Sequence, residues 1–176
     1  GLGHREIEGP TVMPEPVFEA SGHLDGFDDM IIECPACGEN IRADHLVEDS
    51  TGVEEAEGYS TEQIEGLIEE HGLVCPECNE HLSGVEVNDF NLMFKTSIGP
   101  GSGSTGYLRP ETVQGIFTEF PRLKQYAHNQ LPFGITQIGK AYRNEISPRK
   151  GLVRVREMTQ AELDLFIDPE EDRPDI

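Results

Sequence analysis

The chain has 176 residues, enough for one domain with a respectable core. Its 34 acidic residues against 13 basic give a formal net charge of −21 at pH 7, which argues against the basic footprint usual in nucleic-acid binders. No apolar run is long enough to span a membrane, and the start GLGHREIEGP lacks the apolar stretch of a signal peptide, so the cytoplasm is the default compartment. The basic residues concentrate between Arg109 and Arg156. An acidic coat around a basic site fits a halophile, where salt screens the self-repulsion; a chain that never meets nucleic acid is the other reading. The first residue is not Met, which suggests a trimmed or partial chain.

In chain order, Val12 to Asp29 is punctuated by Pro14 and Pro16. The two prolines predict an extended segment here, running into a turn at Ser21-Gly22-His23. Cys34-Pro-Ala-Cys37 and Cys75-Pro-Glu-Cys78 follow, each ending in a residue suited to a tight turn, Gly38 and Asn79. Two such knuckles let four thiolates reach one tetrahedral ion, so Cys34, Cys37, Cys75 and Cys78 are predicted to hold a structural Zn²⁺. Disulfides or free thiols are the alternatives, the former disfavoured in a cytosolic chain. A closed set of four cysteines leaves no position for substrate, so its work is folding.

Between the knuckles, Arg42-Ala-Asp-His-Leu46 reads as a surface strand or a helix start, with a salt bridge as the plain role for Arg42. Ser60-Thr-Glu-Gln63 fits a capping box before the stripe Ile64, Leu67, Ile68, with Gly72 as C-cap. Phe90 to Thr96 reads as one strand, and GPGSGSTG at 99–106 as a mobile loop with no phosphate-binding signature. Arg109-Pro110-Glu111-Thr112 then opens a helix striped by Val113, Ile116, Phe117 and Phe120. Glu111 in its first turn suits the positive end of the dipole; the rival is a carboxylate that projects into a site beside Glu162.

Gln137 to Ile167 reads as two strands joined by a basic turn around Ser147, Pro148 and Gly151. Period-2 alternation puts Gln137, Gly139, Ala141, Arg143 and Glu145 on one face, with Arg154, Arg156, Met158, Gln160 and Glu162 beside them. Val153, Val155, Ala161, Leu163, Leu165 and Ile167 are expected to form the buried face. The charged face is either a salt-bridged solvated surface or a ligand platform.

Arg143-Asn144-Glu145, the loop and Arg154-Val-Arg-Glu-Met158 resemble motif 2 of the class II aminoacyl-tRNA synthetases. FNLMFKTSIGPG, YLRPETVQGIF, LPFGITQIGKAYRNEISPR and VREMTQAELDLFIDP together resemble the glycyl-tRNA synthetases of archaeal and eukaryotic type, over about residues 11 to 169. The resemblance implies an α+β fold, mainly an antiparallel sheet with flanking helices and a zinc-ribbon-like insertion. It implies an N-terminal part at 1–33, the zinc-knuckle insertion at 34–84 and the catalytic core at 85–176. By position, Glu111 and Glu162 would hold the glycine ammonium, and Arg42, within RADHL, would lie near the amino acid. Arg143 would hold the α-phosphate and the reacting carboxylate, Glu145 would read adenine, and Arg154 the far phosphates. Asn144, Val155 and Met158 complete the implied ATP site, Met158 standing where most class II enzymes stack a phenylalanine on the base. ATP with Mg²⁺, glycine and tRNA(Gly) are the implied substrates, and a homodimer the implied state of the intact enzyme. The long motif 1 helix, motif 3 and an anticodon-binding domain are not seen, so the chain looks like part of a catalytic domain. A synthetase-like paralogue binding ATP or glycine, or a zinc-ribbon interaction module, are the alternative readings.

Overall fold

The computed structural model describes residues 5–101, 103–146 and 155–168. The chain divides into two units, one of residues 1–24, 93–143 and 156–176, the other of 25–92 and 144–155.

The first unit holds two three-stranded sheets. In one, β8 (Phe133–Tyr142) is central, parallel to β1 (Arg5–Ile7) and antiparallel to β9 (Glu157–Phe166). In the other, β7 (Ser104–Leu108) lies between β2 (Val12–Pro14) and β6 (Lys95–Ile98), both antiparallel to it. Helix α5 (Val113–Tyr126) packs Ile116 against Phe133 and Ile135 of β8, with Phe120 and Phe166 closing the cluster. Phe120 and Phe166 have ring centroids 4.5 Å apart.

The second unit is built on β3 (Asp28–Glu33), flanked antiparallel by β4 (Asn40–Arg42) and β5 (Asn88–Asn91). Helices α3 (Ala43–Thr51) and α4 (Thr61–His71) cover it through Val47, Ile64 and Ile68, which meet Ile32, Ile41 and Leu82 in one core. The capping box of α4 forms as expected, with the Gln63 amide donating to Ser60 Oγ and the Ser60 amide to Gln63 Oε1, and Gly72 left-handed at the C-cap.

Several expectations need correction. Glu15–Ala20 is a helix, α1, and His23–Gly26 a further turn, α2, where an extended segment was expected. Pro16 sits in the first turn of α1, where no intrahelical acceptor waits for its missing N–H, so proline does not oppose the helix. At the Gly-rich stretch, Gly99 and Gly101 take a positive φ that suits glycine, and Ser104, Thr105 and Gly106 are already in the β6–β7 ladder. Phe90 to Thr96 is two strand ends, β5 and β6, interrupted at 92–94.

The β8–β9 hairpin and its alternation are as expected, but the buried side is the opposite one. Leu163 is 59% exposed and Ile138 51%, while Ile135, Gln137 and Ala141 are fully buried. Helix α5 decides this: its apolar stripe covers the face carrying Phe133, Ile135 and Phe166.

Candidate functional site

The site grows from the corner Arg109-Pro110-Glu111-Thr112, between the end of β7 and the start of α5. The corner is fixed by a buried cation. Arg109 is 3% exposed, and its guanidinium donates to the carbonyls of Lys140 at 2.7 Å, Gly9 at 3.0 Å and Pro10 at 3.4 Å. Burial lowers its pKa from the ordinary arginine value. Backbone dipoles supply the solvation that water would otherwise give. The head group lies over Gly139, where a Cβ would collide with Nη2.

Helix α5 begins after Thr112, its N-cap, so Glu111 stands just outside the helix and not in its first turn. That corrects the dipole reading. The carboxylate is held instead by side chains: Gln114 Nε2 donates to Glu111 Oε1 at 2.7 Å, and His23 Nε2 lies 3.2 Å from the same oxygen. Thr112 Oγ1 donates to Glu162 Oε2 at 2.9 Å, which ties the second carboxylate to the same corner. Arg143 Nε donates to the Pro110 carbonyl at 3.2 Å, and its backbone N–H to the Arg156 carbonyl at 3.1 Å. Glu111, Glu162 and Arg143, which the resemblance assigns to one substrate site, each contact the four consecutive residues of the corner or belong to it. Beside Glu111 opens a cavity of about 650 Å³, lined also by His23 and Gln114 and by the apolar Pro16, Val17 and Phe117; Glu162 and Arg143 do not line it.

Behind Glu162 on the sheet lies Gln137, its register partner on β8. Gln137 is fully buried, and among the described residues neither amide atom has a hydrogen-bond partner. It fits only because Gly9 and Gly115 face it; a Cβ at Gly115 would come within 2.6 Å of Gln137 Oε1. Met158, opposite Ala141, has Gln160 Nε2 3.9 Å from its sulfur.

Arg154 lies outside the described residues. Asn144, Glu145 and Val155 fall in the second unit and are half-buried, Asn144 donating its backbone N–H to the Leu92 carbonyl at 2.8 Å. Arg42 is also in the second unit. It is paired with Asp29 at 3.0 Å and, through two nitrogens, with Asp44, both carboxylates being buried. Burial alone would raise the Asp44 carboxyl, but Arg42 beside it holds it below the usual carboxylate range.

The four cysteines come together as expected, all Sγ atoms within 4.8 Å of one another. Cys34 and Cys78 sulfurs are 3.6 Å apart, those of Cys37 and Cys75 3.7 Å. A tetrahedron with Zn–S bonds of about 2.3 Å has edges of about 3.8 Å, so the donor set fits zinc. The knuckles share one construction: Gly38 and Asn79 are left-handed, and each donates its N–H to the first cysteine carbonyl of its turn. Hydrogen bonding from the Cys37 backbone pulls the Cys34 thiol down to about 7. The Glu39 backbone favours the Cys37 thiolate, but burial and the neighbouring sulfurs push that thiol up to about 12.

Thr112, Gln114, His23 and Arg109 were not identified from sequence as parts of the site. The signal for Thr112 and Arg109 lay in RPET itself, read only as a helix start.

The comparisons with known proteins bear on the same residues. The tRNA synthetase class II core domain (G, H, P, S and T) model matches residues 94–176, which include the corner and the β8–β9 hairpin. Over 168 residues the chain is 55% identical to the glycine–tRNA ligase of Methanocaldococcus jannaschii, and over 169 residues 56% identical to that of Pyrococcus horikoshii; each alignment takes in 96% of the chain. Over nearly its whole length this chain is similar to glycine–tRNA ligases. It spans 29% of the length of those glycine–tRNA ligases. A solved structure described as the RNA binding domain of threonyl-tRNA synthetase from Cryptosporidium parvum matches with a TM-score of 0.51 and 17% identity, covering 95% of this chain and 26% of that one. At that identity the likeness speaks for the synthetase fold alone. No helix among the described residues is long and apolar enough to cross a membrane.

Proposed function

We propose that the chain forms part of the catalytic domain of a glycine–tRNA ligase. Such an enzyme joins glycine to ATP as glycyl-adenylate and then passes the glycyl group to tRNA(Gly). The observation that carries the reading is the convergence of Glu111, Glu162 and Arg143 on the corner at 109–112. In the first step a glycine carboxylate oxygen attacks the α-phosphorus of ATP, and pyrophosphate leaves with the electrons of the broken P–O bond. No protein nucleophile is needed. The residues position two anions against each other and neutralise the charge that builds on the phosphorus oxygens.

Arg143 suits that task, since a guanidinium fork grips carboxylate and phosphate oxygens in one plane. Glu111 and Glu162, two carboxylates tied to one corner, suit an ammonium. ATP arrives as its Mg²⁺ complex, with Met158 offering a polarisable surface to the base. The four cysteines hold a structural Zn²⁺, which fixes the chain around both knuckles and takes no part in the reaction. We assign Asn144, Glu145, Arg154 and Val155 to the ATP site on the strength of the motif, and Arg42 to the neighbourhood of the amino acid. The acidic coat supports a protein working in concentrated salt in the cytoplasm, and the intact ligase is read as a homodimer.

The test is a thermal shift of the full-length protein with a non-hydrolysable glycyl-adenylate analogue, beside the alanyl analogue. Stabilisation by the glycyl compound alone, lost in Glu162→Gln, is the expected result. Equal shifts with both compounds, or none in a folded zinc-loaded sample, would overturn it.

A further inference from the structure

The segment Ser21-Gly22-His23 has no part in the reaction as described, yet its histidine touches the centre of the site. His23 Nε2 lies 3.2 Å from Glu111 Oε1, and His23 Nδ1 lies 2.9 Å from Ser21 Oγ, which in turn is 3.4 Å from the Phe18 carbonyl. The ring stands edge-on to Phe18, centroids 6.2 Å apart, and Phe18 is fully buried and packed on Tyr107 of β7. The imidazole is thus fixed on three sides, its side chain 13% exposed, whereas that of Glu111 is 33% exposed.

We propose that His23 is a positioning residue for glycine selection: it orients the Glu111 carboxylate so that one oxygen stays turned to the substrate ammonium. The proposal rests on the reading of Glu111 as an ammonium ligand. A carboxylate at the head of a three-bond side chain rotates freely unless something holds it. Here both donors, His23 Nε2 and Gln114 Nε2, fall on Oε1, which leaves Oε2 as the oxygen presented to a ligand. The arrangement works in either protonation state of the ring. Neutral, Ser21 Oγ–H donates to Nδ1 and Nε2–H to Glu111; protonated, Nδ1–H donates to Ser21 Oγ, which passes its own hydrogen to the Phe18 carbonyl. Nε2 remains a donor toward Glu111 in both. Glu162 is held the same way, by one oxygen, through Thr112. An ammonium between two carboxylates so held meets two fixed acceptors, and a substrate as small as glycine has little else to be recognised by.

The experiment measures glycine-dependent ATP–pyrophosphate exchange in the full-length ligase, for His23→Ala, His23→Gln and Glu111→Gln. Gln keeps an N–H donor near the place of Nε2. We expect His23→Ala to raise the glycine KM about tenfold, as loss of a hydrogen bond to a charged group does, with the ATP KM changed less than about twofold. His23→Gln should recover most of that loss. An unchanged glycine KM in His23→Ala beside a raised one in Glu111→Gln would overturn the proposal alone. An unchanged glycine KM in Glu111→Gln would remove the reading beneath it as well. If His23→Ala does not fold, His23→Gln decides: a glycine KM close to that of the parent with a normal melting temperature supports the donor role, and one as high as in Glu111→Gln overturns it.

Discussion

Thr112 does more for the site than its place as an N-cap suggests. Its hydroxyl makes no cap hydrogen bond and reaches Glu162 instead. Thr112→Val keeps the shape and removes that one bond, so under the proposed function the glycine KM of the full-length protein should rise several-fold, up to about tenfold, with little change in melting temperature. A drop in melting temperature with an unchanged KM would make Thr112 structural only. Gly115 is a second single-residue test, because its neighbour is the buried Gln137 amide. Gly115→Ala drives a methyl into that amide and should cost about 1–3 kcal/mol of stability, read by denaturant unfolding. Asp164 gives a test through pH. One of its oxygens is buried without a partner among the described residues, and burial raises its carboxyl above the usual value. A carboxyl that titrates higher folded than unfolded loses stability as pH rises through that interval. Asp164→Asn should therefore melt higher than the parent near neutral pH, and the gain should fade toward about pH 4.

At the scale of elements, what could be read from sequence is what local chemistry dictates. The capping box and C-cap of α4 and the two CxxC knuckles were legible because the residues that make each feature lie within a few positions of one another. Ser60→Ala should cost about 1 kcal/mol, measured by chemical denaturation, since it removes the acceptor for the Gln63 amide. The β8–β9 hairpin was legible as alternation, but alternation names two faces without saying which is covered. Helix α5 settles that from outside the hairpin, which is why Leu163 and Ile138 came out exposed. Pro16 misled for a related reason: proline forbids a helix interior and permits its first turn, and only the helix start tells which applies. The site was half legible. Glu111, Glu162 and Arg143 came from a resemblance, whereas His23 and Gln114 enter through distances that no spacing encodes.

For the whole molecule, the dominant number is the charge of −21. Mutual repulsion on that scale opposes compaction and is screened by salt, so the melting temperature should climb steeply from dilute buffer into concentrated KCl. A flat response would remove the argument for a salt-adapted protein. The zinc knuckles act on a smaller region: Cys34 and Cys75 are themselves part of the core that Ile32, Val47 and Ile68 share. The division of the chain has a consequence for anyone who wants to handle its parts. The backbone passes from one unit to the other four times, after residues 24, 92, 143 and 155. A gene cut at 25 and 92 would carry both knuckles and the whole core that Ile32, Val47, Ile68 and Leu82 share, so the zinc-bearing part can be excised as one uninterrupted reading frame that parts only from the described residues 144–146 and 155.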